Sequence, residues 1–294
     1  MAEVNDILKK VRRIEIRSRK LTKNIFAGEY HSAFKGKGMA FAEVREYQYG
    51  DDIRNIDWNV TARFNHPFVK VFEEERELTV MLLVDVSGSR FFGTQLQLKK
   101  DLIAEIAAVL AFSAIQNNDK IGAMFFTDRV EKVILPQKGR QHTLHIIREL
   151  LAYEPDHRTT NLAEALRYLT NSIKKRCTAF VISDFIDYSD TNELQFVEAL
   201  KIANRKHDIA ALQVIDVRET ALPNVGLLKI KDAETGHEEW IDTSVPAVRE
   251  HYRKWWLKHQ ENLNNAFSKA GVDSAMFYTG QDYVRPLIQL FEKR

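Results

Sequence analysis

Asp85, Ser87 and Ser89 stand at alternate positions near the end of the stretch LTVMLLVDVSGSR, Leu78 to Arg90. In extended or gently curled backbone, alternate side chains point to one side. The run before them, Leu78 to Val84, is apolar and rich in β-forming residues. A carboxylate and two hydroxyls are therefore expected just beyond the end of a buried strand. Two later segments carry the same kind of group. Thr160 stands just before a helical segment, and Asp184 follows the apolar run Cys177 to Ser183. Two carboxylates and three hydroxyls are hard oxygen donors. With water completing the shell they suit Mg²⁺, and equally Mn²⁺ or Ca²⁺, and are poor for softer metals. A position would remain open for a ligand from outside.

These side chains can meet only if the elements that carry them bring them to one edge. Beyond Leu78 the pattern alternates. A long helix rich in Ala, Leu and Ile, apolar on more than one face, is expected from Leu96 to Ile115. Strands follow at IGAMFF and VEKVIL, then helices over Gln141 to Leu151 and Leu162 to Ile173, the latter capped by Thr160 or Asn161. Next come a strand at Cys177 to Ser183, a helix at Asn192 to Ala203 and a strand at His207 to Val217. Strands alternating with helices predict an α/β fold with a doubly wound, mostly parallel sheet covered on both faces. In such sheets ligands bind outside the carboxyl ends of the strands. Gly226 to Ile241 reads as a hairpin turning at Glu234-Thr235-Gly236, Pro246 to Ala270 as a long helix, Val272 to Tyr278 as a strand and Asp282 to Glu292 as a closing helix. The expected division is an N-terminal extension over residues 1–77 and an α/β domain over 78–294, with a hairpin and helix inserted at about 222–270.

The extension has its own features. Met1 to Lys23 predicts a basic helix with an apolar stripe of Val4, Ile7, Leu8, Val11, Ile14 and Ile16. Trp and Phe are missing from that stripe, which favours docking on the protein's own domain over a membrane surface. Gly36 and Gly38 mark a loop, but no Gly-Lys-Ser/Thr follows, so no phosphate-binding loop is expected. Phe41 to Tyr49 and Phe68 to Phe72 read as strands, with a short helix starting near Ile53 and capped by Asp51 or Asp52. Arg45, Asp51, Asp52, Arg54, Asp57, Trp58 and Arg63 crowd this short segment. They form either a partner-binding surface or a structural ion-pair network.

The 294 residues carry a formal net charge of +2, too small to argue for nucleic acid or membrane, and their 45% hydrophobic content is that of a globular protein with a sizeable core. A lone cysteine, Cys177, excludes an internal disulfide and fits a reducing compartment. It lies in an apolar run, as a packing residue would. His142 and His145 sit three apart on a helix without a third ligand at matching spacing, so no metal role is expected of them. No segment reads as a signal peptide or membrane span, so a cytoplasmic setting is expected.

The three parts DVSGS, TNLAEAL from Thr160 and ISDF ending at Phe185 resemble, in order, the metal-ion-dependent adhesion site of the von Willebrand factor A fold. That resemblance implies Ser87, Ser89 and Thr160 as hydroxyl ligands. It implies Asp85 and Asp184 as carboxylates acting directly or through water, and an acidic side chain of a binding partner in the remaining position. The run FKGKGMAFAEVREYQYGDDIRNIDWNVTARF, continuing through VKVFEEERE into the DxSxS strand, resembles the domain-of-unknown-function 58 family. It implies a protein-interaction module serving a MoxR-type AAA+ ATPase, or that ATPase's client, as adaptor or co-chaperone. Two positions depart from the wider A-domain pattern: Arg90 stands where methionine is common, and Arg158-Thr159 where two glycines are common.

A metal-dependent hydrolase or phosphatase using Asp85 and Asp184 is the rival reading; it lacks an evident general-base histidine near the strand ends. In a third reading the DxSxS residues hold their own loop without a metal.

Overall fold

The computed structural model describes residues 2–22, 40–73, 78–93, 97–187, 194–234 and 236–294. The loop of Gly36 and Gly38, the first residues of the expected Asn192 to Ala203 helix and Thr235 lie outside the described residues. Two compact units emerge: Lys35–Leu78, and Met1–Phe34 together with Thr79–Arg294.

Helix α1 (Ala2–Leu21) belongs to the larger unit. The small unit pairs β1 (Ala40–Glu46) with β2 (Phe68–Glu73) as an antiparallel ribbon, joined through a 3₁₀ turn and α2 (Trp58–Phe64). The larger unit then runs β3 (Thr79–Asp85), α3 (Lys99–Gln116), β4 (Lys120–Phe126), β5 (Val130–Gln137), α4 (Arg140–Ala152) and α5 (Leu162–Ser172). It continues through β6 (Thr178–Ser183), α6 (Val197–Lys206), β7 (Asp208–Ile215) and α7 (Val217–Thr220). The hairpin of β8 (Leu227–Lys231) and β9 (Glu238–Asp242) follows, then α8 (Pro246–Ala270), β10 (Asp273–Tyr278) and α9 (Val284–Glu292).

Six of these strands form one sheet in the order β10-β7-β6-β3-β4-β5. Every pair is parallel except β4 with β5, so the expected α/β class holds: the sheet is mostly parallel, with one antiparallel edge. The chain moves from β3 outward to β4 and β5, then returns to lay β6 on the other side of β3. Strand order reverses at the β3/β6 pair, which is where such sheets open a crevice for ligands.

The strands read as near-continuous apolar runs because both faces are covered. Met81 and Leu83, Met124 and Phe126, and Ala179 and Val181 point to one side, where they pack with Leu162 and Leu166 of α5, Leu200 of α6 and Leu263 and Phe267 of α8. The alternate residues face α3 and α9; Phe180, for example, meets Phe291 edge to face at 6.3 Å. Helix α3 is buried on almost every side, because α1 covers the flank that the sheet leaves. That accounts for its lack of a polar face.

Helix α1 docks through Val11, Ile14, Glu15 and Ser18, residues that share one face at helical spacing. Ile16, expected in the stripe, is exposed, because it lies on the opposite side of the helix. The basic residues serve the dock: Lys10 pairs with Asp101 at 3.2 Å, Arg17 with Glu105 at 3.0 Å, and Arg140 of α4 reaches back to Glu15. Among the described residues, no helix is long and apolar enough to cross a membrane.

Cys177 is buried and its thiol is pushed up to about 12 by that burial, so it is a packing group. It touches His207, whose Nδ1 lies 3.2 Å from its Sγ and accepts from its backbone N–H. Burial holds the His207 imidazole down at about 4, with Lys206 and Arg176 adding to the effect. The unfolded histidine titrates near 6.5, so between these values the unfolded state binds more protons. Stability is therefore expected to fall as pH drops from about 6.5 towards about 4, and to be insensitive to this group at higher pH. In urea unfolding, wild type should lose about 1–2 kcal/mol more than His207→Gln between about pH 7 and pH 5. Parallel profiles would remove His207 from the account.

Candidate functional site

Asp85 ends β3, and Asp184 follows β6, its neighbour in the sheet. Both carboxylates therefore reach the same edge at the point of strand reversal. Asp85 is fastened on two sides: its Oδ1 accepts from the Ser87 backbone N–H at 2.9 Å, and its Oδ2 from the Ser183 hydroxyl at 2.7 Å. The Ser87 and Ser89 hydroxyls lie 3.3 Å apart, and the Ser89 hydroxyl also bonds the Asp184 carboxylate.

Thr160 stands just before a helix, as expected, but its loop joins α4 to α5, helix to helix, so it reaches the edge without following a strand. Three backbone bonds bring it to the edge. Gly88 N–H donates to the Arg158 carbonyl, Asn161 N–H to the Thr127 carbonyl, and Leu162 N–H to the Asp187 carboxylate, each at 2.9 Å. Of the two caps expected for α5, Asn161 makes the bond, accepting from Glu164 N–H at 3.0 Å. The Thr160 hydroxyl is thereby free to face the site, where it donates to Glu234 Oε1 at 2.7 Å.

Phe185 completes the Asp184 loop in the left-handed region, φ 60°, uncommon for an aromatic residue. Its ring, in contact with those of Phe196 and Phe267, is fully buried and holds it there.

Three further side chains, Lys99, Glu219 and Glu234, shape the electrostatics. Lys99, only 1% exposed, places its ammonium 2.8 Å from Asp184 Oδ2 and 2.9 Å from Glu219 Oε1. Glu219 is aimed by a capping box at α7: its other oxygen accepts from Asp216 N–H at 2.7 Å. Burial works to raise the Asp184 carboxyl, but the Lys99 charge together with the hydrogen bonds from Lys99, Ser89 and the Ile186 N–H outweighs it and holds the group below its ordinary value. Asp85 has no ammonium bonded to it as Asp184 has, and the Arg90 charge that acts on it does not offset its burial. Burial and then the Asp184 charge push it up to about 6. Glu234 is raised to about 7 by burial, and the charges of Asp184 and Asp85 add to the effect. Glu234 therefore sits within electrostatic range of both aspartates.

Sequence reasoning missed Lys99, Ser183, Glu219 and Glu234. Asp216-x-x-Glu219 carried a capping-box signal; a lysine at a helix start and a glutamate at a hairpin turn carry none. It also placed no histidine near the strand ends. His259 of α8 lies close enough for Asp184 to act on its charge. It is buried, stacked on Trp255 at 5.8 Å, and held down at about 4 by that burial. His142 and His145 take separate partners: Nε2 of His142 lies 2.9 Å from the Ile121 carbonyl, and His145 sits 3.7 Å from Glu149. Arg90, one of the departures from the A-domain pattern, is buried; its guanidinium bonds the Tyr153 carbonyl and covers the Phe91 ring.

The donors suit a hard divalent cation. Three hydroxyls and the Asp85 carboxylate face one edge, and Asp184 keeps one oxygen turned from Lys99. Four carboxyl groups gather here against Lys99, and the Arg90 charge also acts on Asp85. Among the described residues no three His, Cys, Asp or Glu side chains are grouped to hold a metal by themselves, so the hydroxyls would be needed. A groove of about 440 Å³ between α6 and α8 is lined by Leu194, Glu198, Asn262 and Lys269 among others, and by none of the five expected ligands.

In the small unit the expected network divides. Arg45 clasps Asp51 with two bonds of 2.8 and 2.7 Å, and Asp51 also accepts from Gln48 N–H. Asp52 caps the 3₁₀ turn through Arg54 N–H. Asp57 caps α2 through Asn59 and Val60 N–H and lies 3.4 Å from Lys70. Arg45, Asp51, Asp52 and Asp57 thus make bonds within the unit, whereas the Arg54, Trp58 and Arg63 side chains are exposed. Asp57→Ala is expected to cost about 1 kcal/mol through its lost cap, and Arg54→Ala less than about 0.5. Denaturant unfolding of both variants checks this ranking; equal losses would contradict it.

The family model described as "Protein of unknown function DUF58" matches residues 43–262, well over half the sequence. The chain belongs to the DUF58 family. The uncharacterized protein Rv1480 of Mycobacterium tuberculosis is 28% identical to this DUF58 chain over 288 residues, covering 97% of it and 88% of the relative. The uncharacterized protein YeaD of Bacillus subtilis is 33% identical over 110 residues, 37% of this chain and 25% of that one. Among solved structures, an aerotolerance-related membrane protein from Bacteroides fragilis aligns over 74% of this DUF58 chain and 97% of its own, with 14% identity and a TM-score of 0.48. The conserved hypothetical protein BatB from Bacteroides thetaiotaomicron aligns over 74% and 98%, with 15% identity and a TM-score of 0.44.

Proposed function

We propose that this DUF58 chain is a non-enzymatic protein-interaction module. It binds a divalent cation, Mg²⁺ in the first instance, through Asp85, Ser87, Ser89, Thr160 and Asp184, and uses it to grip an acidic residue of a partner protein. By the resemblance drawn from the sequence, the partner is a MoxR-type AAA+ ATPase or that ATPase's client, and the setting is cytoplasmic. The observation that carries this reading is the convergence of two aspartates and the hydroxyl loops at the strand-reversal edge, with a carboxylate, Glu234, already accepting from the Thr160 hydroxyl. A cation between two carboxylate-bearing surfaces gives specificity from few contacts.

One contact favours a second reading, a metal-free structural loop: the Lys99 ammonium on Asp184 supplies part of the positive charge a cation would. Association of the full chain with a MoxR-type ATPase, measured in Mg²⁺ and again in EDTA, separates them. Binding lost in EDTA supports the cation bridge, and binding indifferent to EDTA favours the metal-free loop.

A further inference from the structure

The hairpin of β8 and β9 does not end in solvent. Its tip seats on the two loops that carry the hydroxyl ligands. Glu234 takes both polar groups of Thr160: its Oε1 accepts from the hydroxyl at 2.7 Å and its Oε2 from the backbone N–H at 3.3 Å. On the other loop, the Ala233 carbonyl lies so close to Gly88 that a Cβ there would stand 2.2 Å from the oxygen. Gly88 is thus the seat of the tip, and a side chain at this position of the DxSxS loop would unseat it. Within the tip, Asp232 accepts from Glu234 N–H at 2.8 Å and sets the turn that presents the glutamate.

Resting on the cation-binding reading above, we propose that Glu234 is an internal ligand: it occupies the position at Thr160 that a partner's carboxylate would take, and the hairpin must lift for an acidic partner to bind. The chemistry follows from the tether. A carboxylate held in place by its own chain competes at an effective concentration in the millimolar range or above. An outside carboxylate is then handicapped by one plus the ratio of that effective concentration to the intrinsic dissociation constant of the tethered carboxylate. The class of partner is also defined. It must present an exposed Asp or Glu, and it must contact the hairpin or its surroundings strongly enough to displace the tip. Here β8 and β9 offer exposed Leu227 and Trp240, with Lys229, opposite Trp240, paired to Glu238 nearer the tip.

The test uses the full chain, Mn²⁺ as the cation and glutarate as the carboxylate probe. Calorimetry reads Mn²⁺ uptake, and water-proton relaxation of the bound Mn²⁺ reads glutarate entering its shell. Wild type is compared with Glu234→Gln and Glu234→Ala, each checked for folding by circular dichroism. Both variants are expected to bind Mn²⁺ and to reach half-saturation at a glutarate concentration at least tenfold lower than wild type. Equal glutarate binding in all three proteins, with Mn²⁺ uptake intact, would overturn the internal ligand and leave the cation site standing. No Mn²⁺ uptake in any of them, with or without glutarate, would sink the cation reading and this inference with it.

Discussion

Lys99→Met is expected to destabilise the larger unit by about 3–5 kcal/mol, the cost of breaking a buried ion pair by removing one partner. Methionine matches the aliphatic length of lysine, so little of the loss comes from a cavity. What remains is electrostatic. Asp184 and Glu219 share the one ammonium, and both face the interior side of the strand-reversal edge. Without it, two carboxylates with shortened access to water repel each other and Asp85 as well. Thermal unfolding should show a drop on the order of 10 °C for a unit of this size. The double variant Lys99→Met/Asp184→Asn should recover part of the loss, because the uncompensated charge is then removed. A melting temperature for Lys99→Met within a degree or so of wild type would mean that the triad does not carry the stability assigned to it.

The second large effect is on the cation. In Asp85→Ala, calorimetric titration with Mg²⁺ or Mn²⁺ is expected to show affinity reduced by at least about 100-fold, since the substitution removes a charged donor, and loss of outer partners alone costs roughly 10–100-fold. The fold should survive. The substitution strands the Ser183 hydroxyl and the Ser87 N–H, each worth about 1 kcal/mol as a hydrogen bond. It also relieves a buried carboxylate that burial and Asp184 hold in an unfavourable charged state. These effects oppose each other, so the melting temperature should move far less than in Lys99→Met. Cation affinity equal to wild type in Asp85→Ala would show the site assignment to be wrong, whatever the partner.

The contrast between these variants follows from where each charge is satisfied. Asp85 is held by two neutral donors, the Ser87 N–H and the Ser183 hydroxyl, whereas Lys99 is held by two carboxylates. The pair would be confused only if stability and cation affinity fell together in both.

Much of the architecture was legible in the residues alone. Strands β3, β4, β6 and β7 are largely runs of Val, Ile, Leu, Phe and Ala that cannot be half-exposed, and of the helices between them α5 and α6 keep a 3.6-residue period while α3 is apolar all round. That alternation leaves a parallel, doubly covered sheet as the economical arrangement. The DxSxS spacing put a carboxylate and two hydroxyls on one short segment at the end of β3, but strand alternation stops at Asp85: Ser87 precedes and Ser89 lies within a 3₁₀ turn, Gly88–Phe91, and that turn brings their hydroxyls to 3.3 Å. What the tertiary structure decided was every relation that depends on distant pairing. Lys99 reads as one more solvated lysine at a helix start, and is instead sealed against Asp184 and Glu219, 85 and 120 residues away. Glu234 reads as a hairpin-turn acid, and meets Thr160 across 74 residues. The β5 edge turns antiparallel, Thr160 comes from a helix-to-helix loop, and the basic face of α1 spends its charges on Asp101 and Glu105. Periodicity records which face of an element is apolar; it holds no record of which charge will lie opposite another once the sheet has closed, and at this edge those pairings set the chemistry.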